Sequence, residues 1–182
     1  MAGALIKKAC RSMLVVLIVL AACSKNDNDR YHGVDTIDNK LYGSTTYYAL
    51  GFSFELGKLT STLEAPAPDI TIHVNTDVDG NITGKYINTP NLIESFALAA
   101  SLPGVAEAED YFDSLLDAGN PAWFASATNV AENQVWIYKT AKGNYVKFRI
   151  IELNTDNAAS PPFVEMKFEW RIQPDGSPLF DS

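Results

Sequence analysis

The stretch Phe163-Val-Glu-Met-Lys-Phe-Glu-Trp-Arg-Ile172 decides the fold. Its apolar residues alternate strictly with charged ones, which is the period of a β-strand with one face in a core and the other in water. The core-facing set is Val164, Met166, Phe168, Trp170 and Ile172, and the water-facing set is Glu165, Lys167, Glu169 and Arg171. An antiparallel sheet built around this segment is therefore expected.

The segments just upstream supply partner strands for it. Residues 133–140 (NQVWIYKT) and 144–153 (NYVKFRIIEL) are rich in aromatic and β-branched residues, which strands favour. They flank Ala141-Lys142-Gly143, a short loop with glycine that is typical of a hairpin. The pattern predicts two consecutive antiparallel strands joined by this loop.

Strand patterns continue toward the N-terminus. Apolar and polar residues alternate over 52–56 and again over 70–74, and Leu56-Gly57-Lys58-Leu59 looks like a hairpin turn. Asp79-Gly80 is a strong signal for a two-residue turn, after which residues 82–87 return as a partner strand.

The middle of the chain predicts two helices instead. Asn91 followed by Glu94 resembles a capping box, and Pro103-Gly104 would end that first helix. Carboxylates at 107, 109 and 110 suit the first turns of a second helix, which Gly119 would stop. The predicted class is mainly β (α+β): one antiparallel β-rich domain over residues 40–182 with a two-helix insertion.

The first 22 residues have the layout of a secretory signal. Lys7, Lys8 and Arg11 precede an apolar run over 13–22, which is too short for the roughly 20 residues of a spanning helix. The run closes with Leu20-Ala-Ala-Cys23, which resembles the lipobox of bacterial lipoproteins. That resemblance implies cleavage before Cys23 and lipidation of this cysteine, which would anchor the protein to a membrane. The alternative is a plain secretory signal.

Cleavage there would leave an acidic chain without a free thiol. It removes three basic residues and no acidic one, so the net charge changes from −8 to −11, which argues against nucleic acid as a partner. Cys10 would be lost and Cys23 lipidated, so no disulfide or thiol nucleophile remains. Residues 23–39 are mostly polar and are predicted to be a flexible tether. A serine followed by acidic and amide residues after Cys23 resembles the surface-export signal of Bacteroidetes lipoproteins.

Motifs for catalysis are absent from the sequence. It contains no G-x-S-x-G, no GxGxxG and no GKS or GKT, and His73 is the one histidine placed to act as a base. We therefore expect a protein that is not an enzyme. Asn75-x-Asp77-x-Asp79-Gly80 resembles the front half of a calcium loop, although position twelve is Tyr86 rather than glutamate. A hairpin turn with solvated acids is the alternative reading of these residues.

The C-terminal third also resembles a known family. Residues 135–150 (VWIYKTAKGNYVKFRI) and 168–177 (FEWRIQPDGS) are similar to the HmuY-like haem-binding lipoproteins of Bacteroidetes, and residues 47–59 look like that family's opening strands. The resemblance covers about half of the mature domain. It implies a mostly β fold and capture of haem at the cell surface, followed by transfer to an outer-membrane receptor.

The haem ligands of that family do not map fully onto this chain. Family members hold the iron with two histidines or with methionines, whereas neither residue type occurs between Val74 and Glu165. His73 is the candidate axial ligand, and Met166 is expected in the core. The leading hypothesis is thus an outer-membrane lipoprotein that binds haem or a similar planar ligand without catalysis. The alternative is a non-haem surface accessory lipoprotein that binds glycan or protein partners.

Overall fold

Antiparallel strands make up most of the structure, as the alternation predicts. The computed structural model describes residues 31–91 and 94–180. The strands are β1 (His32–Asp38), β2 (Leu41–Tyr42), β3 (Tyr48–Ser53), β4 (Lys58–Ser61), β5 (Thr71–Thr76), β6 (Ile82–Asn88), β7 (Phe96–Ser101), β8 (Ser126–Thr128), β9 (Gln134–Lys139), β10 (Tyr145–Asp156) and β11 (Phe163–Gln173), with helix α1 (Val105–Ser114) between β7 and β8. The predicted cleavage site and Cys23 lie outside the described residues.

One large sheet packs against two small ones. The large sheet has the order β1-β11-β10-β9-β7, and the small ones have the orders β2-β3-β4 and β5-β6-β8. Phe54 lies at the centre of the core, with its ring centroid within 6.2 Å of four aromatic rings of the large sheet. Those rings are Tyr138, Phe148, Phe168 and Trp170. The aromatic residues of the strands therefore serve first as core.

The inner face of β11 is confirmed as core, but its outer face is not simply wet. Helix α1 packs over the outer side of the large sheet, where Lys147 and Arg149 of β10 are buried. The Arg149 guanidinium donates to Glu169 at 2.6 Å, so two charges of this face are paired. Lys147 donates its ammonium protons to the carbonyl oxygens of Phe112 and Leu115 at 2.6 and 2.9 Å. These bonds satisfy carbonyls at the end of the helix, which lack partners within it.

The prediction of two helices is wrong for the first; the second exists as α1, but it ends at Ser114, before the predicted stop at Gly119. Residues 96–101 form strand β7 and pair with β9, with Phe96 opposite Tyr138. Phe96 packs against the Tyr138 ring on the core side, while Ala97 is buried on the other side. A segment of almost uniformly apolar residues carries no period that separates a helix from a strand. Pairing with the edge of β9 therefore determines that residues 96–101 form a strand.

The predicted tether is also too long. Residues 32–38 form β1 and pair with β11 from His32 opposite Arg171 to Asp38 opposite Glu165. The polar composition of this segment suits an edge strand. Asp35 accepts a hydrogen bond from the Trp170 indole at 2.8 Å, which explains a carboxylate on the inner side. The folded part therefore begins by His32, not near residue 40.

The hairpin turns predicted at 79–80 and 141–143 are confirmed, whereas the turn predicted at 56–59 lies at 54–57. β5 and β6 pair around Asp79-Gly80, and β9 and β10 pair around residues 141–143. Gly80 and Gly143 have φ angles of 87° and 89°, a region that only glycine adopts without strain. The local sequence alone was sufficient to predict these turns.

The buried carboxyl group of Asp69 should make the free energy of unfolding depend on pH. Its buried carboxylate accepts from the Phe54 amide at 2.8 Å, and burial raises the pKa from 3.8 to about 6. The unfolded chain then holds fewer protons at this site than the folded chain between these pH values. The free energy of unfolding that Asp69 contributes at low pH therefore falls by about 3 kcal/mol as the pH rises from about 4 to 6.

Urea unfolding of the wild type and of Asp69→Asn between pH 4 and 7 measures this contribution. The decline in unfolding free energy attributed to Asp69 should be absent from the variant. Asp79→Asn, at an exposed turn position, should keep the wild-type slope. Parallel slopes for wild type and Asp69→Asn would contradict the assignment.

Candidate functional site

His73 lies on the outer face of the small sheet β5-β6-β8. Its neighbours Ile72 and Val74 point into the core, so the imidazole points outward and is half-buried. Tyr86 is its direct partner on β6, and the two rings stack with centroids 5.2 Å apart and an angle of 23°. Thr128 of β8 is paired with Tyr86 and extends the same row. We call this row of three residues the His73 face.

A threonine holds the imidazole in place. The Oγ1 atom of Thr71 lies 2.9 Å from Nε2 of His73 and also donates toward the Asn88 carbonyl oxygen at 3.4 Å. When the hydroxyl proton points to that carbonyl, Nε2 carries the imidazole proton and Nδ1 has the lone pair; when the hydroxyl donates to Nε2, the proton is on Nδ1. Burial lowers the pKa of His73, which favours the neutral ring. A neutral imidazole with one nitrogen held by a neighbour is the form in which histidine binds metal ions.

A groove adjoins the His73 face at the edge of the sandwich. It lies beside the edges of β7 and β8, next to the bridge between Phe96 and Phe124, has a volume of about 370 Å³ and includes Thr128. Trp136 forms part of its lining, and the exposed side chains of Leu98 and Phe124 line it as well. Ser126 adds a second hydroxyl beside that of Thr128. This edge groove continues the His73 face with apolar surface.

The two histidines of the chain do not share a site. His32 is exposed on β1 opposite Arg171, whose side chain lies on the α1 side of the large sheet. His73 lies on the outer face of a small sheet, on the other side of the core. Met166 is fully buried in the core, as expected. A pair of histidines, or of histidine and methionine, therefore cannot ligate one iron atom within a single described domain.

The candidate calcium residues lie at the tip of the β5–β6 hairpin. Asp77 accepts hydrogen bonds from the Asp79 and Asn81 amides at 3.0 and 2.8 Å, and the Asn81 side chain donates to it as well. These bonds lower the pKa of Asp77 and make its carboxylate the centre of the turn. Asn75 belongs to β5, with its side-chain amide near Gly84. Within residues 31–91 and 94–180, no group of three or more His, Cys, Asp or Glu side chains is placed to hold a metal ion.

Some features of this region could not be predicted from the sequence. Tyr86 carries no motif, and only the strand register brings it to His73, whereas Thr71 shares the side of β5 that His73 occupies because the two are two residues apart. The alternation of 70–74 already showed that His73 faces outward. The edge groove had no sequence signal, because it forms where two strand edges separate.

Compared with protein-family models and with curated proteins, the chain gives no match. No helix in the described part of the chain is long and apolar enough to cross a membrane.

Proposed function

We propose that the protein is a HmuY-like lipoprotein, anchored through Cys23 at the outer surface, that binds haem or a similar planar ligand without catalysis. The lipobox supports the anchor, and the C-terminal resemblance supports the ligand class. One observation in the folded domain carries the proposal. A neutral imidazole, held by Thr71 and stacked on Tyr86, faces solvent beside an apolar groove.

The dimensions of this region suit a flat ligand. Two strand spacings separate His73 on β5 from Thr128 on β8, a distance of about 10 Å that a macrocycle can cover. Nδ1 of His73 would ligate the iron from one side. The Tyr86 ring and the apolar side chains of the edge groove would cover the rest of the ring system.

A hemin titration tests the proposal. Hemin added to the purified full chain should shift the Soret band, and His73→Ala should weaken binding at least about tenfold by removing the iron ligand. His32→Ala is the matched control, because this residue lies on the opposite side of the molecule. Absence of a Soret shift in the wild type, or equal affinity of His73→Ala, would refute the proposal.

The second candidate is a non-haem surface accessory protein that binds glycan or protein partners. The separation of His32 from His73 and the burial of Met166 favour it, because among residues 31–91 and 94–180 a haem at the His73 face would have one histidine and no methionine as ligand. This candidate predicts partners in a pull-down at the cell surface and no porphyrin spectrum.

A further inference from the structure

A second cavity lies at one end of the sandwich, apart from the His73 face. It has a volume of about 510 Å³, within the range of small-molecule sites. Its lining includes Lys40, Tyr42, Asp156, Ser160, Pro161 and Phe163. We call it the Tyr42 cleft.

The tyrosine wall of the cleft is held from behind. Tyr42 pairs with Tyr48 across β2 and β3, and their rings stack with centroids 5.8 Å apart and an angle of 26°. Gly43 follows with a φ of 96°, and a side chain there would clash with the Thr46 carbonyl oxygen. The tight hairpin and the stacked ring therefore fix the orientation of Tyr42 before any ligand arrives.

The opposite wall is tied to the first by Asn39. Its side-chain amide donates to the Pro162 carbonyl oxygen at 2.9 Å, and its side-chain oxygen accepts from the Val164 amide at 2.9 Å. Its own backbone amide donates to the Val164 carbonyl oxygen at 3.1 Å. Three bonds thus hold the segment that carries Tyr42 against the start of β11, which carries Phe163.

The charged groups of the cleft restrict the ligand class. The Lys40 ammonium lies 4.6 Å from the Phe163 ring centroid and 3.5 Å from the Asp38 carboxylate, which offsets its charge. Asp156 pairs in register with Phe163 and adds a carboxylate to the lining. An anionic ligand would be attracted weakly, because the Lys40 charge is paired with Asp38 and the whole chain carries a net negative charge. A purely apolar ligand would displace water from the Lys40 ammonium and the Asp156 carboxylate without replacing the lost hydrogen bonds, which is costly.

We infer that the Tyr42 cleft binds a neutral carbohydrate. The C–H face of a pyranose ring carries partial positive charge and packs on the negative face of an aromatic ring such as Tyr42. Its hydroxyl groups can accept from the Lys40 ammonium, donate to or accept from the Ser160 hydroxyl, and donate to the Asp156 carboxylate, which also accepts from the Ala158 amide at 2.8 Å. Aromatic and polar groups on facing walls match the two sides of one sugar ring.

The position of the cleft suits a ligand outside the cell. β1 runs from His32 to Asp38, so the cleft at Asn39–Tyr42 lies one strand length, about 20 Å, from the point where the strand begins. With the proposed anchor at Cys23, the start of β1 is the end of this strand that is joined to the anchored segment, and the cleft adjoins the other end. The inference does not depend on haem binding, because His73 is not among the residues of the cleft.

Saturation-transfer NMR and calorimetry on the full chain with maltohexaose, cellohexaose and β-1,4-mannohexaose test the inference. At least one of these neutral sugars should bind, Tyr42→Ala should weaken it at least about tenfold, and Tyr42→Phe should keep most of the affinity. Phe124→Ala, which removes an exposed aromatic ring of the edge groove, should leave sugar binding unchanged, and so should His73→Ala. A galacturonic acid hexamer should bind more weakly than the neutral sugars. No binding of any neutral sugar, or binding that Tyr42→Ala leaves intact, would overturn the inference whatever hemin does.

Discussion

Gly51→Ala should lower the free energy of unfolding by about 3 kcal/mol, the range of forced overpacking in a core. Gly51 lies in β3, where the following residue, Phe52, exchanges backbone hydrogen bonds with Ile70. A Cβ atom at position 51 would overlap the Ile70 carbonyl oxygen and lie 2.7 Å from Cβ of Pro68. Both obstacles belong to backbone or to a rigid ring, so neither can rotate away. Chemical denaturation of both proteins at one pH measures the loss.

Gly84→Ala is the matched control for this substitution. Gly84 also lies in a strand, β6, but the nearest atom to an added Cβ is the Asn75 side-chain nitrogen at 3.5 Å, an ordinary contact. Its replacement should be neutral or stabilise by up to about 1 kcal/mol, because alanine restricts the unfolded chain. Equal effects at positions 51 and 84 would show that the close approach of β3 to Ile70 is not rigid.

Lys147→Ala should destabilise the protein by about 2 kcal/mol at pH 7 and by about 4 kcal/mol at pH 10. The substitution removes a buried aliphatic stem and leaves the Phe112 and Leu115 carbonyl oxygens without their donor. At pH 7 it also removes a buried charge, which offsets part of the loss. Burial, with a smaller contribution from Arg171, lowers the pKa of Lys147 from 10.5 to about 8.

The pH dependence follows from that lowered pKa. Between pH 8 and 10.5 the unfolded chain holds a proton that the folded chain has lost, so the wild type gains stability as the pH rises. The variant lacks this gain, and its deficit therefore grows toward pH 10. Urea unfolding at both pH values checks the trend, with Lys167→Ala, an exposed position on β11, as the control. A deficit that shrinks toward pH 10 would contradict the account.

Turns and the strongest strands could be predicted from the sequence because their signals are local. The alternation of 163–172 and the glycines at 80 and 143 depend only on neighbours along the chain, and each appears where expected. The acidic residues at 107, 109 and 110 likewise predicted α1. For the candidate site, the outward direction of His73 followed from the alternation over 70–74.

Other features depended on partners distant in sequence. Phe96–Ser101 became a strand because β9 offered an edge, and residues 32–38 joined the sheet because β11 offered another. A strand forms its hydrogen bonds with another segment, so a segment can become a strand although its own residues carry no strand pattern. The buried Lys147 and the stacking of His73 on Tyr86 arise in the same way.

The sequence by itself determined a β-rich class, the hairpin turns, the second helix and the outward face of His73. Tertiary structure alone decided which segments became edge strands, the separation of the two histidines, and the two cavities beside His73 and Tyr42. Each of the first group is set by residues a few positions apart, whose conformational preferences act before the chain is packed. Each of the second requires surfaces from different strands to meet, which no local pattern encodes.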